Sequence, residues 1–181
     1  MKETIKLGMI LLIITVISAG VLAVSNNLTK DKIAELEMAG SMEALKEIFG
    51  EDTKFKLLDE GKLSEIKGIN DSVVEIFEAY SGENLNGYAV KMVSKGFAGD
   101  LVTLTGFSSD GSVKGMRLVE HGETKGLGSK AAEPDFTSKF EGLNTSGEIT
   151  VESISGATVT SKGVMDGVNA AREVFNTQLS N

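Results

Sequence analysis

Residues 101–119 read LVTLTGFSSDGSVKGMRLV, and this stretch decides the fold. Leu101–Phe107 and Ser112–Val119 are rich in apolar and β-branched residues, and Ser108-Ser109-Asp110-Gly111 separates them. Asp-Gly between two such runs signals a tight turn joining antiparallel strands. Upstream, Ser72–Ser81 and Tyr88–Ser94 flank Gly82-Glu83-Asn84-Leu85-Asn86-Gly87, a turn-rich stretch that predicts a second hairpin loop. Leu57 and Leu58 fit a short strand, and Glu148–Ile154 a further one. Val164, Val168, Ala171 and Phe175 are spaced 4, 3 and 4 apart, which predicts a helix from about Ser161 to Phe175. Leu28, Ile33, Leu36, Ala44, Leu45, Ile48 and Phe49 recur at helical spacing too. They predict one helix or two helical pieces over 28–49, interrupted by Gly40 and stopped by Gly50. A meander of strands with helices at both ends is an α+β domain with an antiparallel-rich sheet.

Ahead of it, residues 7–24 read LGMILLIITVISAGVLAV without a charge. At 1.5 Å per helical residue this run spans about 27 Å, close to the hydrocarbon thickness of a bilayer. A cleaved signal peptide is the rival reading, since Lys2 and Lys6 precede the run and small residues crowd Ala19 to Ala23. The run is longer than a usual signal core and no A-x-A site closes it, so we read an uncleaved transmembrane helix. The division expected is a membrane anchor at 1–27 and a domain at 28–181. Orientation does not follow from charge, because Lys30 and Lys32 match Lys2 and Lys6 across the run.

Composition narrows the chemistry. The net charge is −8 over 181 residues; Lys2, Lys6 and Glu3 give the first 24 residues +1, leaving −9 for the remainder. Nucleic acid, bound mainly through Lys and Arg on phosphates, is an improbable partner for so acidic a domain. With no Cys there is no disulfide, thiol nucleophile or Cys-ligated iron–sulfur cluster, and one His makes a multi-His metal site impossible. No catalytic residue and no metal ligand is assigned.

Two loops remain as candidate sites. His121-Gly122-Glu123-Thr124-Lys125-Gly126-Leu127-Gly128 follows a predicted strand, and its three glycines permit close backbone approach to a ligand. Glu123 and Thr124 add an acceptor and a hydroxyl; the plain alternative is a tight surface loop. His121 reads as structural, since nothing nearby pairs with it as base and nucleophile. Ser155-Gly156-Ala157-Thr158-Val159-Thr160-Ser161 precedes the last helix and carries four hydroxyls in seven residues. Free amides and the positive end of the helix dipole at such a position stabilise a phosphate. The plain alternative is an ordinary cap in which Thr160 or Ser161 bonds the first amides. Neither loop is a Walker A sequence or a dinucleotide fingerprint.

Ser155-Gly156-Ala157-Thr158 resembles the flavinylation motif of the FMN-binding domain family, Asp-x-x-Ser/Thr-Gly-Ala-Thr/Ser. Lys95-Gly96-Phe97-Ala98-Gly99-Asp100-Leu101 and the 121–128 loop are similar to that family's Gly-aromatic-x-Gly and Glu-Thr-Pro-Gly-Leu-Gly segments. With the N-terminal anchor, the chain looks like the G subunits of Rnf ion-translocating complexes, relatives of the C subunits of Na⁺-translocating NADH:quinone reductases. Glu152 stands where the motif has Asp, and Lys125 where the loop has Pro.

The resemblance implies an electron-carrying subunit of a ferredoxin:NAD⁺ oxidoreductase that translocates Na⁺ or H⁺. It implies FMN joined through its phosphate to the hydroxyl of Thr158, with Ser155, Gly156, Ala157, Thr160 and Ser161 around the phosphate. Glu123, Thr124, Gly126, Leu127 and Gly128 are then expected near the ribityl chain or the ring. Implied partners are the other membrane subunits, a flavin transferase with FAD as donor, and lipid through the anchor. The implied location is the cell membrane, single-pass, with the domain on the extracytoplasmic side. Two other functions stay open at this point: an anchored flavoprotein outside any ion pump, and a non-catalytic ligand-binding module.

Overall fold

The computed structural model describes residues 2–180 in two compact units that divide between Gly40 and Ser41. Helix α1 is Lys2–Phe49. In the first unit the large apolar side chains from Leu7 to Val24 are 46–69% exposed. By length and composition α1 can cross a membrane. Gly40 falls inside α1, because a helix-interior glycine costs only about 1 kcal/mol and does not by itself end a helix. Gly50, at φ +99°, ends it, and its N–H donates to Lys46 O at 2.8 Å.

The second unit holds a five-stranded antiparallel sheet in simple meander order: β1 (Lys54–Leu57), β2 (Val73–Ser81), β3 (Asn84–Lys95), β4 (Asp100–Ser108) and β5 (Val113–His121). The Asp110-Gly111 turn lies where the sequence places it, with Gly111 at φ +81°. The preceding hairpin is tighter than expected: β3 already begins at Asn84, so residues 82–83 alone form the loop. Helix α2 (Glu60–Ile69) is not anticipated from the sequence. Only Leu63 and Ile66 of its apolar residues reach the core, too few for a clear periodic signal. Its start is nonetheless marked by Asp59, whose Oδ1 accepts from the amides of Gly61 and Lys62.

Both faces of the sheet are covered, and glycine sets how closely. Register aligns Phe77, Ala89, Gly106 and Gly115 in one row across β2 to β5. The last turns of α1 lie on that row. A β-carbon on Gly106 would sit 2.5 Å from Ile48 Cγ2 and 2.8 Å from Phe49 Cε2. On the opposite face lies α4 (Thr158–Val174), which buries Val164, Val168 and Ala171 against the sheet. Gly163 and Gly167, one turn apart, let it approach. A β-carbon on Gly163 would collide with the carbonyl of Lys95, and one on Gly167 would meet Thr103 Oγ1 at 2.7 Å. That contact fixes the N-terminal turn of α4 beside the β3–β4 loop. A π-helical turn, Phe175–Leu179, follows, and Phe175 stacks on Phe107 with centroids 4.8 Å apart.

Between β5 and α4 run a 3₁₀ turn (Gly128–Ala132), the short helix α3 (Pro134–Thr137), a second 3₁₀ turn (Ser138–Phe140), and an extended strap. The predicted strand at Glu148–Ile154 is this strap, and it joins no sheet. Its backbone is satisfied by side chains of α4 instead. Ile149 N–H donates to Asn169 Oδ1 at 2.8 Å, Val151 N–H to Met165 Sδ at 3.4 Å, and Ile154 N–H to Ser161 Oγ at 3.0 Å. Ser161, Met165 and Asn169 are four residues apart, one rung per helical turn. An apolar, β-branched run thus reads as a strand while its hydrogen bonds go to a helix surface.

Candidate functional site

The strap delivers the chain into a tight turn at Ser155-Gly156, closed by Ala157 N–H donating to Ile154 O at 2.9 Å. Gly156 has φ +80°, a conformation that favours glycine. Helix α4 then begins at Thr158, three residues earlier than its apolar spacing indicates, with Ala157 at the cap position. No side chain caps it. The alternative in which Thr160 or Ser161 serves as an ordinary cap is therefore not what the structure shows. Ser161 is fully buried; its hydroxyl donates to Ala157 O at 3.0 Å while accepting from Ile154. Thr160 is turned to Glu123. The first amides of α4 are left to face whatever lies in front of them.

Glu123 is the meeting point of three segments. The residue is only 8% exposed. Oε1 accepts from the amides of Phe97 at 2.8 Å and Ala98 at 3.0 Å, and Oε2 accepts from the hydroxyl of Thr160 at 2.6 Å. Burial pushes the carboxyl up, but the hydrogen bonds from Thr160, Ala98 and Phe97 outweigh it, with His121 adding a smaller pull. The net effect is a carboxyl held below its ordinary range, as expected for a carboxylate with several donors. Two glycines make room for it. A β-carbon on Gly96 or on Gly128 would strike one of its oxygens, and the latter would also meet Thr160 Oγ1 at 2.9 Å. His121, read as structural, accepts the Glu123 amide on Nδ1 at 3.3 Å.

These segments enclose a cavity of about 360 Å³. Glu123, Thr124, Leu127, Gly128, Gly156, Ala157, Thr158 and Thr160 of the expected site residues line it, together with Phe97 and Val159. The two glycine-bearing loops, 27 or more residues apart in sequence, therefore form one site. Three expected residues stand outside its wall. Ser155 is exposed in the turn, Ser161 is buried behind it, and Gly126, at φ +78°, bends the loop while its N–H donates to Ser129 Oγ at 2.9 Å. Phe97 and Val159 are the residues that sequence reasoning leaves off the site. Phe97 is 72% exposed at the rim, and its place between Gly96 and Gly99 in the β3–β4 loop, where Gly96 N–H donates to Gly99 O, is the available signal.

The geometry suits a ligand with a flat apolar body and an anionic end. Its volume lies in the usual range for cofactor sites. Exposed Phe97, Leu127 and Val159 offer apolar contact at the mouth, and the uncapped N-terminus of α4 offers amides and a positive dipole end. Residues 96–173 match the FMN-binding domain family, so the class of protein is one with an FMN-binding domain. Residues 1–48 match the RnfG N-terminal region. The G subunit of the Na⁺-translocating ferredoxin:NAD⁺ oxidoreductase complex of Acetobacterium woodii is 31% identical, over 96% of this chain and 92% of its own. The G subunit of the ion-translocating oxidoreductase complex of Methanosarcina acetivorans is 30% identical, over 98% and 97%. The chain belongs to this family, the G subunits of Rnf-type ion-translocating oxidoreductase complexes. The fold is shared with the C subunit of the Na⁺-translocating NADH-quinone reductase of Parabacteroides distasonis, at TM-score 0.53 and 21% identity over 71% of this chain and 78% of that one. Shewanella oneidensis NqrC gives TM-score 0.53 and 20% identity, over 73% and 84%.

Proposed function

We propose that this protein holds FMN bound covalently to Thr158 and relays electrons within a membrane-bound ferredoxin:NAD⁺ oxidoreductase complex coupled to Na⁺ or H⁺ translocation. One observation carries the reading: Thr158 is the first residue of α4, exposed, on the cavity wall, at a helix start that no side chain caps. The phosphodiester that joins FMN to its hydroxyl places a phosphate monoanion against free amides and the positive end of the dipole. Gly156 and Ala157 keep bulk away from that phosphate, and Ser155 and Thr160 stand on either side in sequence. Ser161 holds the turn from behind. Glu123, Thr124, Leu127 and Gly128 form the wall for the ribityl chain and ring, with Gly126 shaping their loop.

The bound flavin supplies the redox chemistry; the protein supplies position, shielding and electrostatics. A threonine hydroxyl is a weak nucleophile without an activating base, and the one ionisable group on the cavity wall, Glu123, is engaged by Phe97, Ala98 and Thr160 rather than by Thr158. A separate flavin transferase using FAD as donor fits that need. The anchor is residues 1–27, with 7–24 crossing the membrane once, and residues 28–181 form the domain on the extracytoplasmic side. NAD and ferredoxin are handled by other subunits, which are this chain's partners.

The test is flavin fluorescence on a denaturing gel of the full chain from native membranes. Fluorescence that co-migrates with wild type and is lost in Thr158→Val, with unchanged circular dichroism, supports the assignment. Fluorescence retained by that variant refutes it.

A further inference from the structure

Among the residues lining the cavity, Glu123 alone is ionisable. Its oxygens accept from three donors, two backbone amides and the Thr160 hydroxyl, and among the described residues no cation forms an ion pair with it, His121 adding only a smaller pull. Such a site stabilises a carboxylate without neutralising it, so a full negative charge is fixed in the wall. The lysine in the same loop, Lys125, is exposed and outside the wall. A compact space of this volume is about 9 Å across, so any occupant lies close to that charge. At the effective dielectric of a partly buried site, one unit charge within about 12 Å changes a one-electron equilibrium by about tenfold.

Resting on the reading that FMN occupies this cavity, we infer that Glu123 is the residue that tunes it. Its carboxylate, pinned by Thr160, Phe97 and Ala98, disfavours the added negative charge of reduction and sets a low potential. Glu123 thus acts by its field, where sequence reasoning expects a contact to the ribityl chain or ring. The three donors fix the charge in place, and the glycines at 96 and 128 are the space it needs.

Glu123→Gln is the test, since the amide oxygen can still accept from Phe97 and Ala98 while its NH₂ donates to the Thr160 hydroxyl. Glu120→Gln, which removes an exposed charge at the end of β5, is the control. Redox titration of the flavin-loaded full chain is expected to show an upward shift in Glu123→Gln of about tenfold in the equilibrium, about 59 mV for one electron. Glu120→Gln is expected to show none. A second measurement uses Thr158→Val protein with free FMN: Glu123→Gln should raise the ratio of reduced to oxidised FMN affinity about tenfold per electron. If Glu123→Gln does not fold, Leu127→Lys adds the opposite charge to the same wall on a half-exposed side chain, and an upward shift is again expected. No shift in these variants, or an equal shift in Glu120→Gln, overturns the inference while leaving the cofactor reading intact. A wild-type chain that takes no FMN, covalent or free, overturns the cofactor reading and this inference with it.

Discussion

Asn169 grips both main-chain groups of Ile149: its Oδ1 accepts the amide and its Nδ2 donates to the carbonyl, each at 2.8 Å. The same Nδ2 bonds Met165 O at 3.0 Å. One side chain on α4 thus does for the strap what a neighbouring strand would do, and the strap carries the Ser155–Thr158 turn to the cavity. Asn169→Ala leaves the buried Ile149 without partners, a loss of about 2 kcal/mol or more. We expect a melting temperature several degrees lower and poorer flavin loading of Thr158, read by calorimetry and by gel fluorescence. An unchanged melting temperature would show that the strap is held by other means.

Glycines in one loop have unequal roles. Gly128 has no space for a β-carbon, whereas nothing lies within 4 Å of one built on Gly122. Gly128→Ala is expected to destabilise the protein by about 1–3 kcal/mol by forcing Glu123 and Thr160 apart. Gly122→Ala should stay within about 0.5 kcal/mol of wild type. Chemical denaturation of both variants checks the contrast, which fails if the two behave alike.

The lowered pKa of Glu123 links stability to pH. Its folded carboxyl ionises below the unfolded one, so the stabilisation is complete above the unfolded value, about 4.3 in peptides, and is lost as pH falls through the folded value. Melting curves of wild type and Glu123→Gln should differ by a constant gap from pH 7 to about 5 and converge on further acidification. A gap that grows toward acid would reverse the sign and contradict the ionised assignment.

The absence of cysteine makes the side of the membrane directly measurable. Glu141→Cys places a single thiol on an exposed position of the domain. In intact cells, after removal of any outer membrane, an impermeant maleimide should label this variant as fully as it does after lysis. Labelling only after lysis would put the domain in the cytoplasm.

Much of this was legible in the sequence because the signals were local. Asp110-Gly111 gave a hairpin, the uncharged run at 7–24 gave a helix, and Val164, Val168 and Ala171 gave the buried face of α4. What was hidden depended on distant partners. The strap's valine and isoleucines read as a strand since nothing local reveals that Ser161, Met165 and Asn169 would take its hydrogen bonds. Helix α4 begins before its apolar pattern because its first turn faces a cavity, where burial does not dictate residue type. Glu123 stands out in the sequence, but as a ligand contact; that its oxygens reach across 25 and 37 residues to Ala98 and Thr160 appears only in three dimensions.

The central claim is that Thr158 carries FMN, and the intact mass of the full chain from native membranes tests it most directly. The account predicts a mass higher than the polypeptide's by one FMN less water, located on the peptide containing Thr158 and absent from Thr158→Val. An unmodified wild-type mass, or an adduct that persists in Thr158→Val, would contradict it.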